Sequence, residues 1–211
     1  MQIDDAEIPL SAVPDFPIDQ TRDQDETTPD AKTHKATMQV QEQGLEFIRN
    51  LICSTMTPGT SSTHEASEMV DFLFNALGRT TLFSILISKL RPSTSAIPAP
   101  IEIIKPIANI LVHIAASELR HRQLLIEERE LMGLVGGYLA HQDASVRVAF
   151  CWFIINLTSG YGNEERRERV GAEVLVECGV LERLEVCMGD ADLDVRERAK
   201  VAHFQVREAV K

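Results

Sequence analysis

From Ala36 onward, apolar residues recur at the spacing of α-helices. Val40, Leu45, Ile48, Leu51 and Ile52 form one stripe and predict a helix over 36–53, ended by Pro58-Gly59 and the Ser/Thr residues around them. A second helix over 65–77 carries Met69, Val70, Phe72, Leu73 and Phe74, with Gly78 placed as its C-terminal cap. Thr80 or Thr81 can cap a third, running to Leu90, and the stretch RPSTSAIPAP then reads as a loop. Ile101 to Ser117 is a long apolar helix in which Pro106 is tolerated near the first turn. Three helices follow over 118–129, 130–141 and 144–158, and three more over about 163–178, 180–188 and 193–210. Gly179 is the stop between the last group's first two members, and Asp143 and Asp192 are N-caps of the long ones.

These helices differ in how much cover they require. The segment 144–158 is apolar almost all round and must be covered on several sides. The last helix has one narrow apolar stripe (Val195, Ala199, Ala202, Val206, Val210) and charge elsewhere, which predicts one face on its neighbours and one in water. Gly133, Gly136 and Gly137 inside a helix predict close backbone approach, since each costs about 1 kcal/mol of helix propensity.

Self-similarity organises the pattern. Asp-x-x-Val-Arg opens a long helix twice, at Asp143–Arg147 and Asp192–Arg196, and fainter copies anchor on Val40 and Ile103. The anchors Val40, Ile103, Val146 and Val195 are spaced by 63, 43 and 49 positions. Ten positions after each stands a polar residue (Asn50, His113, Asn156, Gln205), followed by an apolar one. A repeat in the forties marks a helical array, an architecture that offers surfaces for partners more often than pockets for chemistry. The array is expected over 36–211, with units at about 36–53 (partial), 65–117, 118–159 and 163–211.

Composition narrows the function classes. The chain has 211 residues, 44% of them apolar and 5% aromatic, so Leu, Ile, Val and Ala carry the burial. A net charge of −11 argues against gripping nucleic acid, which needs a basic patch. Residues 1–35 are acidic, proline-punctuated and poor in apolar surface, and are expected to be a disordered tail. Cys53, Cys151, Cys178 and Cys187 form no Cys-x-x-Cys pair and read as reduced core thiols of a cytoplasmic or nuclear protein. The histidines are scattered, so no metal site is expected. The start carries no secretory signal, and no apolar run reaches the ~18–20 residues of a membrane span. The Asn156-Leu157-Thr158 sequon falls in a helix expected to be buried and is discounted.

Three helices per unit, with Asp-x-x-Val-Arg opening the third and Asn-Leu near its end, resemble an armadillo array. The expected fold is therefore all-α, a right-handed armadillo-type α-solenoid of roughly three to four repeats with three helices each. Residues 38–53, residues 141–158 and the ending DADLDVRERAKVA (190–202) resemble, more narrowly, the C-terminal part of the armadillo-repeat subunit of the GID/CTLH ubiquitin ligase. That resemblance implies a non-catalytic scaffold whose partners are other ligase subunits, in the ubiquitin-dependent degradation of metabolic enzymes, with no cofactor and no small-molecule substrate. Members of that family carry more repeats before this point, so the chain is expected to be a short form or a fragment.

Candidate binding residues come from the same positions. Trp152 and Asn156 are four apart and share a helix face. In armadillo arrays resembling nuclear-import receptors such a pair grips an extended peptide, which makes a peptide receptor the alternative function. Asn50 holds the equivalent place in the first unit. Only one unit has the Trp, and this favours the plainer expectation that Trp152 packs in the core while Asn156 bonds neighbouring backbone. Arg147 and Arg196 fit pairing with carboxylates between adjacent units, or solvated charge. No nucleophile with a nearby base stands out, Gly133-x-x-Gly136-Gly137 is no phosphate loop, and no catalytic residue is expected.

Overall fold

The computed structural model describes residues 29–53, 63–92, 99–159 and 165–211. These form α1 (Pro29–Cys53), α2 (Thr63–Leu77), α3 (Arg79–Leu90), α4 (Ile101–Ala116), α5 (Leu119–Glu127), α6 (Arg129–Tyr138), α7 (Ala144–Thr158), α8 (Glu165–Glu177), α9 (Val180–Cys187) and α10 (Leu193–Ala209), with no strand among the described residues. Every helix read from the periodicity is present.

Two compact units divide at Gln39/Val40. The described part of the first is the opening of α1, largely exposed, with the Thr37 hydroxyl donating to the Thr33 carbonyl at 2.8 Å. Residues 29–35, assigned above to a disordered tail, are therefore helical. Pro29 suits a first helical turn, and Ala31, Lys32, Lys35 and Ala36 are good helix formers, so local propensity extends the helix beyond its buried stripe. The rest of the expected tail, residues 1–28, lies outside the described residues.

In the second unit the long helices stack side by side, with α7 packed chiefly between α4 and α10. Ile107, Ile110, Leu111 and Ile114 of α4 meet this core, as do Val146, Phe150, Phe153 and Ile154 of α7 and Val195, Ala199, Ala202 and Val206 of α10; all are fully buried. Burying one large side chain of this kind contributes ~1.5–3 kcal/mol, which explains why the helix that is apolar all round takes the middle place. The shorter helices α5, α6, α8 and α9 close the flanks.

The joints follow local chemistry. Asp143 accepts the Ser145 N–H at 2.8 Å and Asp192 accepts that of Val195 at 3.1 Å, so both expected N-caps form. Gly78 (φ 80°) and Gly179 (φ 70°) occupy the positive-φ region that a side chain resists. At Gly78 the chain bends by 91° between α2 and α3, and α3 starts at once. Thr80 and Thr81 lie inside that helix and cap nothing. Pro106 also lies within its helix, just past the first turn of α4, and is buried. No single described helix is long and apolar enough to cross a membrane.

The glycine expectation is corrected. A methyl group at Gly133 or Gly137 would meet nothing within 4 Å, and at Gly136 only ordinary contacts from 3.7 Å. Close approach occurs instead at Gly171 of α8, where a Cβ would stand 2.9 Å from Ile126 Cδ1. In α6, Gly133 and Gly137 are exposed and Gly136 is buried at ordinary contact distance, so periodicity could not tell a tolerated glycine from a required one.

Candidate binding face

The repeated polar positions lie on the long helices, and three of the four connect one helix to the next or to a charge cluster. On α7, the Asn156 side-chain amide donates to the Val112 carbonyl of α4 at 3.2 Å. On α10, Gln205 Oε1 accepts the Thr158 hydroxyl of α7 at 3.3 Å. On α4, His113 is half-buried, and burial, with the Arg49 charge behind it, holds its pKa below the ordinary histidine value. Asn50 is exposed on α1 and accepts from Arg49 at 2.8 Å, while Arg49 also pairs with Glu46 at 2.7 Å.

Trp152 departs from its expected core position. Its side chain is 38% exposed, and the Arg198 guanidinium of α10 stands over the ring, 4.5 Å from the centroid. Four residues on, Asn156 keeps Oδ1 without a partner among the described residues. The core expectation therefore holds for Asn156, which bonds neighbouring backbone, and fails for Trp152. A ring too large for the packed α4/α7/α10 seam stays at its rim, where a cation covers one face. The structure brings Trp152 and Asn156 together; it places Asn50 at the corresponding point of another helix, with its own local partner.

The Arg of each Asp-x-x-Val-Arg copy has a repeated local task. Arg147 Nη1 donates to the carbonyls of His141 (2.6 Å) and Gln142 (2.9 Å), and Arg196 Nη1 donates to those of Asp190 (2.7 Å) and Ala191 (3.0 Å). The sequence offsets, six and five residues, are the same in both. Arg147 also pairs across units, as expected. Its Nη2 donates to Asp190 Oδ1 at 2.8 Å, and its Nε lies 2.8 Å from Oδ2, an electrostatic contact more than a directed hydrogen bond. This pairing holds the Asp190 carboxyl below the usual carboxylate range. Arg196 makes no such pair among the described residues, so the expectation of a carboxylate partner fails there.

One cluster escaped the sequence reading. Ser117 Oγ lies 2.8 Å from His121 Nδ1, and His121 Nε2 lies 3.0 Å from Asp71 Oδ1. Arg120 adds an ion pair to Asp71 at 2.5 Å. The residue types are those of a hydrolase triad, yet Ser117 is 3% exposed, its hydroxyl also reaches the Ile114 carbonyl at 2.6 Å, and no substrate can approach it. The chemistry it performs is attachment: it pins α2 to the α4–α5 corner. Asp71 lies on α2 and the other two at that corner, so no local motif announced it.

Other reactive groups are muted. Burial pushes the Cys151 thiol up to about 12, which keeps it protonated and unreactive. Among the described residues, no three His, Cys, Asp or Glu side chains gather to hold a metal. Thr158 of the discounted sequon is buried.

The stacked long helices define the class: the chain has the armadillo-type right-handed α-solenoid fold. Among solved structures it is similar to a computationally designed armadillo repeat protein for modular peptide recognition, at 22% identity and TM-score 0.60. It is similar to a second designed armadillo repeat protein at 21% identity and TM-score 0.57. In both cases the match covers 82% of this chain and 58% of the other, so this chain spans a little over half their length. A third designed armadillo repeat protein, in complex with the peptide (KR)4, matches at 18% identity and TM-score 0.53, covering 89% and 78%. No protein-family model matches the chain, and no curated protein matches it by sequence. These likenesses establish the fold.

Proposed function

We propose that this chain is a non-catalytic protein-binding scaffold, acting as a subunit of a GID/CTLH-like E3 ubiquitin ligase in the cytoplasm or nucleus. The observation that carries it is the stacked face of α4, α7 and α10. Side chains there are spent on joining one helix to the next, while Trp152 stays at the surface. The ligase assignment adds the family-like ending from Asp190 to Ala202. Capture of the tagged full-length protein should recover RING-type ligase subunits; capture without any ligase subunit overturns the assignment and leaves the scaffold.

The second reading is a receptor for extended peptides, and the exposure of Trp152 beside Asn156 favours it. One designed neighbour holds a basic peptide, (KR)4. Here Arg198 already covers one face of the indole, so a basic ligand side chain seeking that face must displace it. Trp152 is the chain's one tryptophan, and its emission reports binding directly. Titration with (KR)4 should change that emission, and Trp152→Ala plus Asn156→Ala, followed by calorimetry, should abolish binding. Binding that survives the double substitution overturns the receptor reading.

A further inference from the structure

The two Asp-x-x-Val-Arg copies fold alike, and among the described residues a following unit grips the first of them. On α7, Arg147, Cys151, Ile155 and Thr158 form a stripe turned toward the next unit, where Asp190 meets Arg147 and Gln205 meets Thr158. The matching stripe on α10 is Arg196, Lys200, Phe204 and Arg207. It lies open: Phe204 is 63% exposed, Lys200 and Arg207 are exposed, and Arg196 is half-exposed. Its chemistry has changed from small and apolar to basic with one aromatic ring. Lys200 pairs with Glu197 at 2.7 Å; Arg196 lies close enough to Asp190 and Glu197 for its charge to lower both carboxyls, but neither Arg196 nor Arg207 makes a direct ion pair among the described residues. Arg196 has Nη1 engaged by its own loop, as Arg147 does, and its Nε and Nη2 make no hydrogen bond among the described residues. A guanidinium fork matches a carboxylate better than any other common side chain.

We propose that this stripe of α10 docks an acidic helical segment of a partner protein, which presents a carboxylate to Arg196 from the turn before its helix, as Asp190 is presented to Arg147. An apolar residue on that helix covers Phe204, and further carboxylates answer Arg207. The stripe repels its own counterpart on a second copy set face to face and attracts an acidic segment, because like charges across an interface disfavour pairing. The inference does not rest on the peptide-receptor reading, because it does not use Trp152.

The test uses the full chain, labelled with 15N, and two synthetic helical peptides. One carries Asp in the turn before the helix and Leu and Glu along one face; the other has Asn and Gln in place of its acids. The acidic peptide alone should shift the Arg196 Nε–H and Phe204 resonances. Arg196→Ala should weaken binding at least about ten-fold, as loss of a central arginine anchor does. Arg196→Lys, which keeps the charge without the fork, should fall between. Trp152→Ala should leave binding unchanged. Equal binding of both peptides, or Arg196→Ala binding like the parent, overturns the proposal, as do shifts centred on Trp152. Because Arg196 also holds the 190–191 carbonyls, Arg207→Glu plus Lys200→Glu provides a second variant, one that leaves that loop intact. Its binding should drop as well, and unchanged binding also counts against the proposal.

Discussion

Arg147 and Asp190 meet through two N···O contacts of 2.8 Å, although 43 positions separate them. Each side chain is 13% exposed, so this is a largely desolvated pair in the seam between stacked units. Truncating one partner strands the other. Arg147→Ala also frees the carbonyls of His141 and Gln142. It is expected to cost about 2–3 kcal/mol, between an exposed and a fully buried pair, and to lower the Tm by roughly 5–10 °C in a chain of this size. Arg196→Ala, with no direct ion pair among the described residues, should cost less than half as much. Differential scanning calorimetry of both variants decides it.

Acid should weaken the fold in two steps. The His113 pKa is lowered in the folded chain by burial, so its contribution is present above the unfolded value of about 6.5 and is lost as pH falls below it. The Asp190 pKa is lowered by its hydrogen bond from Arg147, so its contribution is present above about 3.9 and is lost as pH falls through the lower folded value. Tm measured against pH should fall first below pH 6.5 and again below pH 4. His113→Gln should remove the first step only, and Arg147→Ala should flatten the second.

Arg198 over Trp152 offers an optical test. Arg198→Ala uncovers one face of the single indole. The emission should move to longer wavelength, and stability should change by no more than about 1 kcal/mol, the range for an exposed cation–π pair. An unmoved emission maximum would mean that the guanidinium does not shield the ring in solution.

Two glycines should respond in opposite directions. Gly133 is exposed and has open space, so Gly133→Ala should stabilise by about 0.5–1 kcal/mol through helix propensity. Gly171→Val should destabilise by about 1–3 kcal/mol, because even its Cβ would stand 2.9 Å from Ile126 Cδ1. Adding Ile126→Ala should recover part of that loss. Urea denaturation of the three variants checks the order.

Legibility in the sequence tracked how local the cause was. The ten described helices were read from apolar spacing together with charge and stop residues, and both Asp N-caps from a carboxylate standing two or three residues before free N–H groups. Gly78 and Gly179 were legible because positive φ selects for glycine at once. The start of α1 was missed because propensity, not burial, makes that turn. Within the candidate face, the Asn156 bond to neighbouring backbone was foreseen. The exposed Trp152 was not, because a tryptophan in an apolar helix looks the same whether it points into a seam or along its rim.

Local rules thus determined the helices, their caps and the period at which they repeat, since these depend on residues a few positions apart. Stacking alone decided which arginine finds a carboxylate, that Ser117, His121 and Asp71 form a buried pin, and that Gly171 is the tight glycine. The physical reason is the same in each case: the partner lies in another helix, tens of residues away, and its distance is set by how side-chain volumes fill the seams. No pattern along the chain encodes that distance before the helices pack.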